Sequence, residues 1–259
     1  MNNILLHILI YLIFLFPTIS LAFVHFDPNV HQKISLYAVL SDKKDAIIKA
    51  TESTNNGISA TDVQVKEIDT LVRDIEKMNP TKNPSQSGLV EGTWRVIFST
   101  APSPSNGKLG PFLGSALQSV NLDSGIYANE LLVGPNESTP WINACLLADW
   151  DDIGDGSNWK VNFRTITLSL FGFDLFTKDF DEGTSRIWTT TFLDSTVRIV
   201  RAGLTDTEAK RKGGSADPKD YFLFVMTRES DTRSTVKGIR SINLFDVLSD
   251  PIRFMEDED

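Results

Sequence analysis

Histidine is almost missing from this chain. Its 259 residues hold three, His7, His25 and His31, all near the start. Past His31 there is no imidazole, which excludes Ser-His-Asp and Cys-His catalysis and His-ligated zinc, iron or haem from the body of the protein. Carboxylate pairs, lysine and metal–carboxylate sites are the chemistry that remains. Cysteine is as scarce: Cys145 is alone, so no internal disulfide forms and the final compartment need not be oxidising. It lies in the apolar run Ile142–Ala148, where a thiol reads as buried and inert, because activation needs electropositive surroundings. Positive charge is in deficit. A net charge of −9 gains little from nucleic-acid phosphates and reads as simple solubility. The rest, 41% hydrophobic and 23% charged, is ordinary globular composition, enough for one sizeable core.

The N-terminus reads as a routing label. Ile4–Phe16 is an apolar run of signal-peptide length, Pro17 breaks it, and Ser20 and Ala22 form a small-residue cleavage site before Phe23. Residues 1–22 are therefore expected to be a signal peptide, with a retained anchor as the alternative. The junction Ser20-Leu21-Ala22-Phe23 resembles the bipartite plastid presequences of diatoms and related algae, and Phe23–Leu40 is poor in acids. That resemblance implies delivery to the plastid; plain secretion is the alternative.

Residues 23–60 read as transit peptide and linker, with a turn at Asn55-Asn56-Gly57. An amphipathic helix is expected within 61–84. Thr61 is its N-cap, Val65, Ile68, Leu71, Val72 and Ile75 form its apolar stripe, and Asn79-Pro80 ends it. From Leu89 the period changes to two. Gly92–Thr100, Ala116–Asn121, Ile126–Val133, Trp141–Trp150, Trp159–Phe171, Ser185–Leu193, Val197–Arg201 and Tyr221–Arg228 read as strands separated by Gly, Pro, Asn and Asp turns. The expected fold is all-β: an antiparallel barrel of about eight strands over 85–240, with the helix packed on it. Thr205–Lys219 reads as a polar loop, and 241–259 as a tail with an acidic end.

Three segments together resemble the plastid lipid-associated proteins, or fibrillins: Ile68–Pro80, the G-x-W strand Gly92–Thr100, and Trp188–Gly203 followed by Tyr221–Val225. The resemblance implies a lipocalin-like barrel that binds lipids, prenylquinones or carotenoids, or supports an enzyme handling them, at thylakoids or plastoglobules. It does not imply catalysis, and no cofactor or metal is expected. Gly92, Trp94, Asp194, Arg198 and Arg201 carry the family signature and are expected to be structural.

The residues themselves point the same way. Alternation turns Trp94, Val96, Phe98, Trp159, Val161, Phe163, Trp188 and Phe192 inward, an apolar lining for one small ligand. Trp94 is placed at the closed end, where Arg198 or Arg201 would stack on its indole; spaced three apart on one strand, they face opposite ways. Asp194 is expected to pair with an arginine or fix the turn. Asp149, Asp151, Asp152 and Asp155 match no calcium loop and read as solvated turn residues. The apolar loop Leu109–Leu113 is a candidate for touching a lipid surface.

Overall fold

A computed structural model describes residues 28–211 and 221–230. The expected signal peptide, most of the polar loop before Tyr221 and the acidic tail lie outside the described residues. The chain divides into Met1–Val39 and Leu40–Asp259. Of the first unit, the described part is the opening of helix α1 (Pro28–Thr51).

The second unit is mostly antiparallel sheet. Its strands are β1 (Gly92–Ser99), β2 (Lys108–Leu109), β3 (Phe112–Leu113), β4 (Ser115–Asn121), β5 (Ile126–Val133), β6 (Ile142–Asp152), β7 (Asn158–Leu170), β8 (Phe173–Asp179), β9 (Ser185–Leu193), β10 (Val197–Leu204) and β11 (Phe222–Ser230). Eight of them close into a ring, in the order β6-β5-β4-β1-β11-β10-β9-β7, with β7 pairing back to β6. It is not a regular barrel. The first half of β7, Asn158–Asn162, pairs with β9, whereas its second half, Thr165–Leu170, stays on β6 but parts from β9 and pairs with β8.

Two apolar layers sit on the two faces of the ring. Trp94, Val96, Tyr127, Trp159, Val161, Trp188, Val200 and Phe224 pack inside it. On the outside, helix α2 (Asp62–Glu76) presses Ile68, Val72 and Ile75 onto Phe98, Phe192, Ile199 and Val225. Thr61 caps α2 as expected, and a capping box forms there: the Thr61 N–H donates to Gln64 Oε1 (3.0 Å) and the Gln64 N–H to Thr61 Oγ1 (3.3 Å).

The sequence reading needs correction in three places. The stretch read as linker is helical through Thr51, and Leu40 and Ile47 join the outer layer. A stripe of so few apolar residues on a polar helix gives little periodic signal. The polar loop opens with a short helix, α3 (Asp206–Arg211), whose Glu208 and Ala209 are buried. Strand β8 escaped notice because all of its residues are exposed.

The turn at Asn55–Gly57 does form, with all three residues at positive φ. Ser99 N–H donates to the Asn56 carbonyl (2.9 Å), which brings the backbones so close that a Cβ on Gly57 would lie 2.2 Å from the Ser99 oxygen. Only glycine fits there.

Candidate ligand site

The ring has a closed end and an open end. The turns at 122–125, 153–157 and 194–196 lie at the closed end, and two short 3₁₀ turns, Pro84–Gln86 and Gly88–Val90, plug it. Trp94 Nε1 donates to the Val90 carbonyl (2.9 Å) and Trp159 Nε1 to that of Ser85 (3.0 Å). Trp159 stacks on Trp150 at 4.5 Å.

The guanidinium over Trp94 is that of Arg228, 4.1 Å from the ring centre, and not that of Arg198 or Arg201. The reason is topological. β11 closes the ring against β1 with Trp94 opposite Arg228, while β10 lies one strand further on. Arg228 also ties down the plug, donating to the carbonyls of Glu91 (2.8 Å) and Leu89.

Arg198 and Arg201 do face opposite ways. Arg201 points outward and grips α2 through Glu76 (2.8 Å) and Asp69 (2.9 Å). Burial works against its charge, but these two carboxylates outweigh burial and hold its pKa above the ordinary value. Asp194 fixes its turn, accepting from the N–H groups of Thr196 (2.7 Å) and Val197 (2.8 Å). Its charged partner is Lys44 of α1 (2.7 Å), not an arginine.

Of the eight expected interior residues, Trp94, Val96, Trp159, Val161 and Trp188 lie in the inner layer, with Phe163 packed against it. Phe98 and Phe192 do not; both lie in the outer layer beneath the helices. An irregularity between Val96 and Phe98 turns Phe98 outward. A second one lets Phe192 pair with Ile199 while Thr190 pairs with Val200, which puts Phe192 on the opposite face from Trp188. One extra residue reverses the facing of everything beyond it.

At the open end, where β7 parts from β9, a cavity of about 520 Å³ is lined by Ala116, Leu131, Ala144, Leu146 and Ile166, with Asn129 on its floor. Arg186 and Glu208 stand at its mouth, paired at 3.2 Å. Composition could not reveal this void. One inward position deeper on the strands that line it lie Gln118, Tyr127 and Trp188, with Arg198 on β10. Burial raises the Tyr127 phenol well above its usual value, opposed by the charge of Arg198 and the Asn129 amide.

The aspartates around Trp150 belong to the closed end. Asp155 caps its turn through Ser157 N–H (2.9 Å) and Asn158 N–H (2.8 Å), and Asp149 pairs with Arg164. Among the described residues no group of His, Cys, Asp and Glu side chains is disposed to hold a metal.

A closed antiparallel ring with an apolar interior, plugged at one end and open to a cavity at the other, is an architecture with room for one small molecule. The chain matches the PAP_fibrillin family model over residues 41–170, half of its length, and belongs to that family. It is also similar to the probable plastid-lipid-associated protein 5, chloroplastic, of Arabidopsis thaliana, 29% identical over 129 residues. That match covers 49% of each chain, so this protein spans about half the length of the relative.

Proposed function

We propose that this protein binds a hydrophobic molecule, such as a lipid, prenylquinone or carotenoid, in the open-end cavity and does no chemistry on it. The observation that carries this reading is the cavity of about 520 Å³ with aliphatic walls, in the size range of small-molecule sites. A long chain gains about 0.8 kcal/mol per buried CH₂, which suffices for useful affinity. Family membership and the relative's chloroplastic name support a plastid role, as does the Ser20–Phe23 junction, with secretion as the alternative. The absence of histidine beyond His31 fits a carrier better than a catalyst.

Ala144 lines the cavity and is buried. Ala144→Trp is expected to fill that space and weaken uptake of a prenylquinone or carotenoid by the delipidated protein at least tenfold. Circular dichroism should show the fold retained. Unchanged affinity in a folded variant would remove the cavity from consideration.

A second reading, a coat on plastoglobules or thylakoid margins or a scaffold beside a lipid-handling enzyme, has its own support. The β7–β8 hairpin exposes Phe171 (66%), Phe173 (76%), Leu175 and Phe176 at the open end. Trp141 is exposed beside them, its carbonyl accepting from Phe171 N–H (2.7 Å), and Phe112 and Leu113 are exposed at the same end. Apolar patches of this kind mark contact surfaces. Changing Phe173 and Phe176 to serine is expected to reduce partition onto galactolipid vesicles about tenfold or more, exceeding the effect of serine at Phe112 and Leu113. If both double variants still bind vesicles like the wild type, the rim has no such role.

A further inference from the structure

The polar side chains beneath the cavity floor call for a ligand of particular chemistry. Arg198 is fully buried inside the ring. Among the described residues none accepts a hydrogen bond from its Nε, Nη1 or Nη2. Its contact is the face of Trp159, 5.5 Å from the ring centre. Burial drives its pKa down to about 10; Tyr127 acts to raise it, and the like charge of Arg228 lowers it further. Neither neighbour is an anion at neutral pH, so the guanidinium stays charged without a counter-charge.

Other polar groups inside the ring are in the same condition. Both polar atoms of the Gln118 amide and Trp188 Nε1 are buried and find no partner among the described residues. A buried charge without a partner is among the costliest arrangements a fold can carry, and unpaired donors add to the cost. Gln118 and Trp188 lie one inward position below the cavity lining. Asn129 on the floor is opposite Gln118 across β4–β5, and Trp188 is the next inward residue after Arg186 at the mouth.

We propose that the cavity takes its ligand head first, and that the head is a carboxylate which pairs with Arg198 and accepts from Gln118 and Trp188, leaving an acyl chain along the aliphatic walls. This deepens the carrier reading and rests on it. A quinone carbonyl or a hydroxyl would satisfy the amide and indole donors but would leave the guanidinium without a counter-charge; a carboxylate meets both needs.

The test is to titrate the delipidated protein with laurate, methyl laurate and dodecanol at pH 8, following tryptophan fluorescence. The wild type should bind laurate at least tenfold tighter than the ester or the alcohol. Arg198→Met should erase that gap while leaving affinity for the alcohol within about threefold. In the absence of ligand, Arg198→Met should melt no lower than the wild type, because a buried charge has been removed. If that variant does not fold, Trp188→Phe keeps the ring, removes one donor, and should lower laurate affinity about fivefold without affecting the ester. Equal binding of all three ligands by the wild type would sink the carboxylate assignment alone. A laurate preference that survives Arg198→Met would move the head to Arg186 or Lys178 at the mouth, and the assignment would again be wrong. No binding of any of the three would sink the carrier reading with it.

Discussion

Replacing Trp94 by alanine is expected to cost about 3–5 kcal/mol of folding stability, the range for deleting a large buried aromatic. The indole is fully buried, and its loss reaches both ends of a short chain of contacts. The Val90 carbonyl loses its donor, and Arg228 loses the surface it lies on. Arg228 holds the Leu89 and Glu91 carbonyls, so the plug at the closed end loosens with it. A domain of this size has only about 5–15 kcal/mol in hand. Urea denaturation followed by circular dichroism would measure the change. Trp94→Phe keeps most of the ring and should cost about 1–2 kcal/mol, chiefly for the unsatisfied carbonyl. A loss under 1 kcal/mol for the alanine variant would mean that the indole does not organise the closed end.

Removing Arg201 is the second large effect. This guanidinium bridges α2 to the sheet through two carboxylates, Glu76 and Asp69, and Glu76 also accepts from Thr191 Oγ1 (2.6 Å). Arg201→Met leaves two part-buried acids without their shared cation. Breaking a buried pair costs about 3–5 kcal/mol, and the partial exposure here brings the expectation to about 2–3 kcal/mol. The pH dependence gives an independent check. Burial tends to raise the Asp69 pKa, but Arg73 and Arg201 outweigh it and hold the pKa below the ordinary carboxylate value. A folded pKa below the unfolded one means stability that is complete above the unfolded pKa, roughly 4, and is lost as the pH falls through the lower folded value. Asp194 is also lowered, through Lys44 and the turn N–H groups despite its burial, and adds to the same acid loss. Wild-type stability should therefore fall below about pH 4, and Arg201→Met should flatten part of that slope. A variant as stable as the wild type at pH 7, with an identical acid limb, would show that the bridge contributes nothing.

Most of the architecture was legible before any coordinates because hairpins advertise themselves locally. Alternation and turn residues place strands such as Ile126–Val133 and Ser185–Leu193 at the bounds the structure gives. What stayed hidden depends on distant pairing or on irregularity. Phe98 and Phe192 fit a strict alternation that bulges interrupt, and no residue type marks those bulges. The partner of Trp94 depends on which strand closes the ring, and the spacing of Arg198 and Arg201 drew attention to the wrong strand. The surface hairpin at Phe173–Asp179 carries no buried face, so periodicity had nothing to register. The cavity is an absence of atoms, and the isolation of Arg198 becomes visible only when the neighbouring strands are in place.

The position of α1 bears on how far the N-terminal part of the chain can be shortened. Leu40, Lys44 and Ile47 belong to the second unit, where Lys44 holds the Asp194 turn and the two aliphatic side chains complete the layer beneath α2. A truncation that spares this layer must therefore end upstream of Leu40. Trimming to the capping box at Thr61 would strip away structural residues.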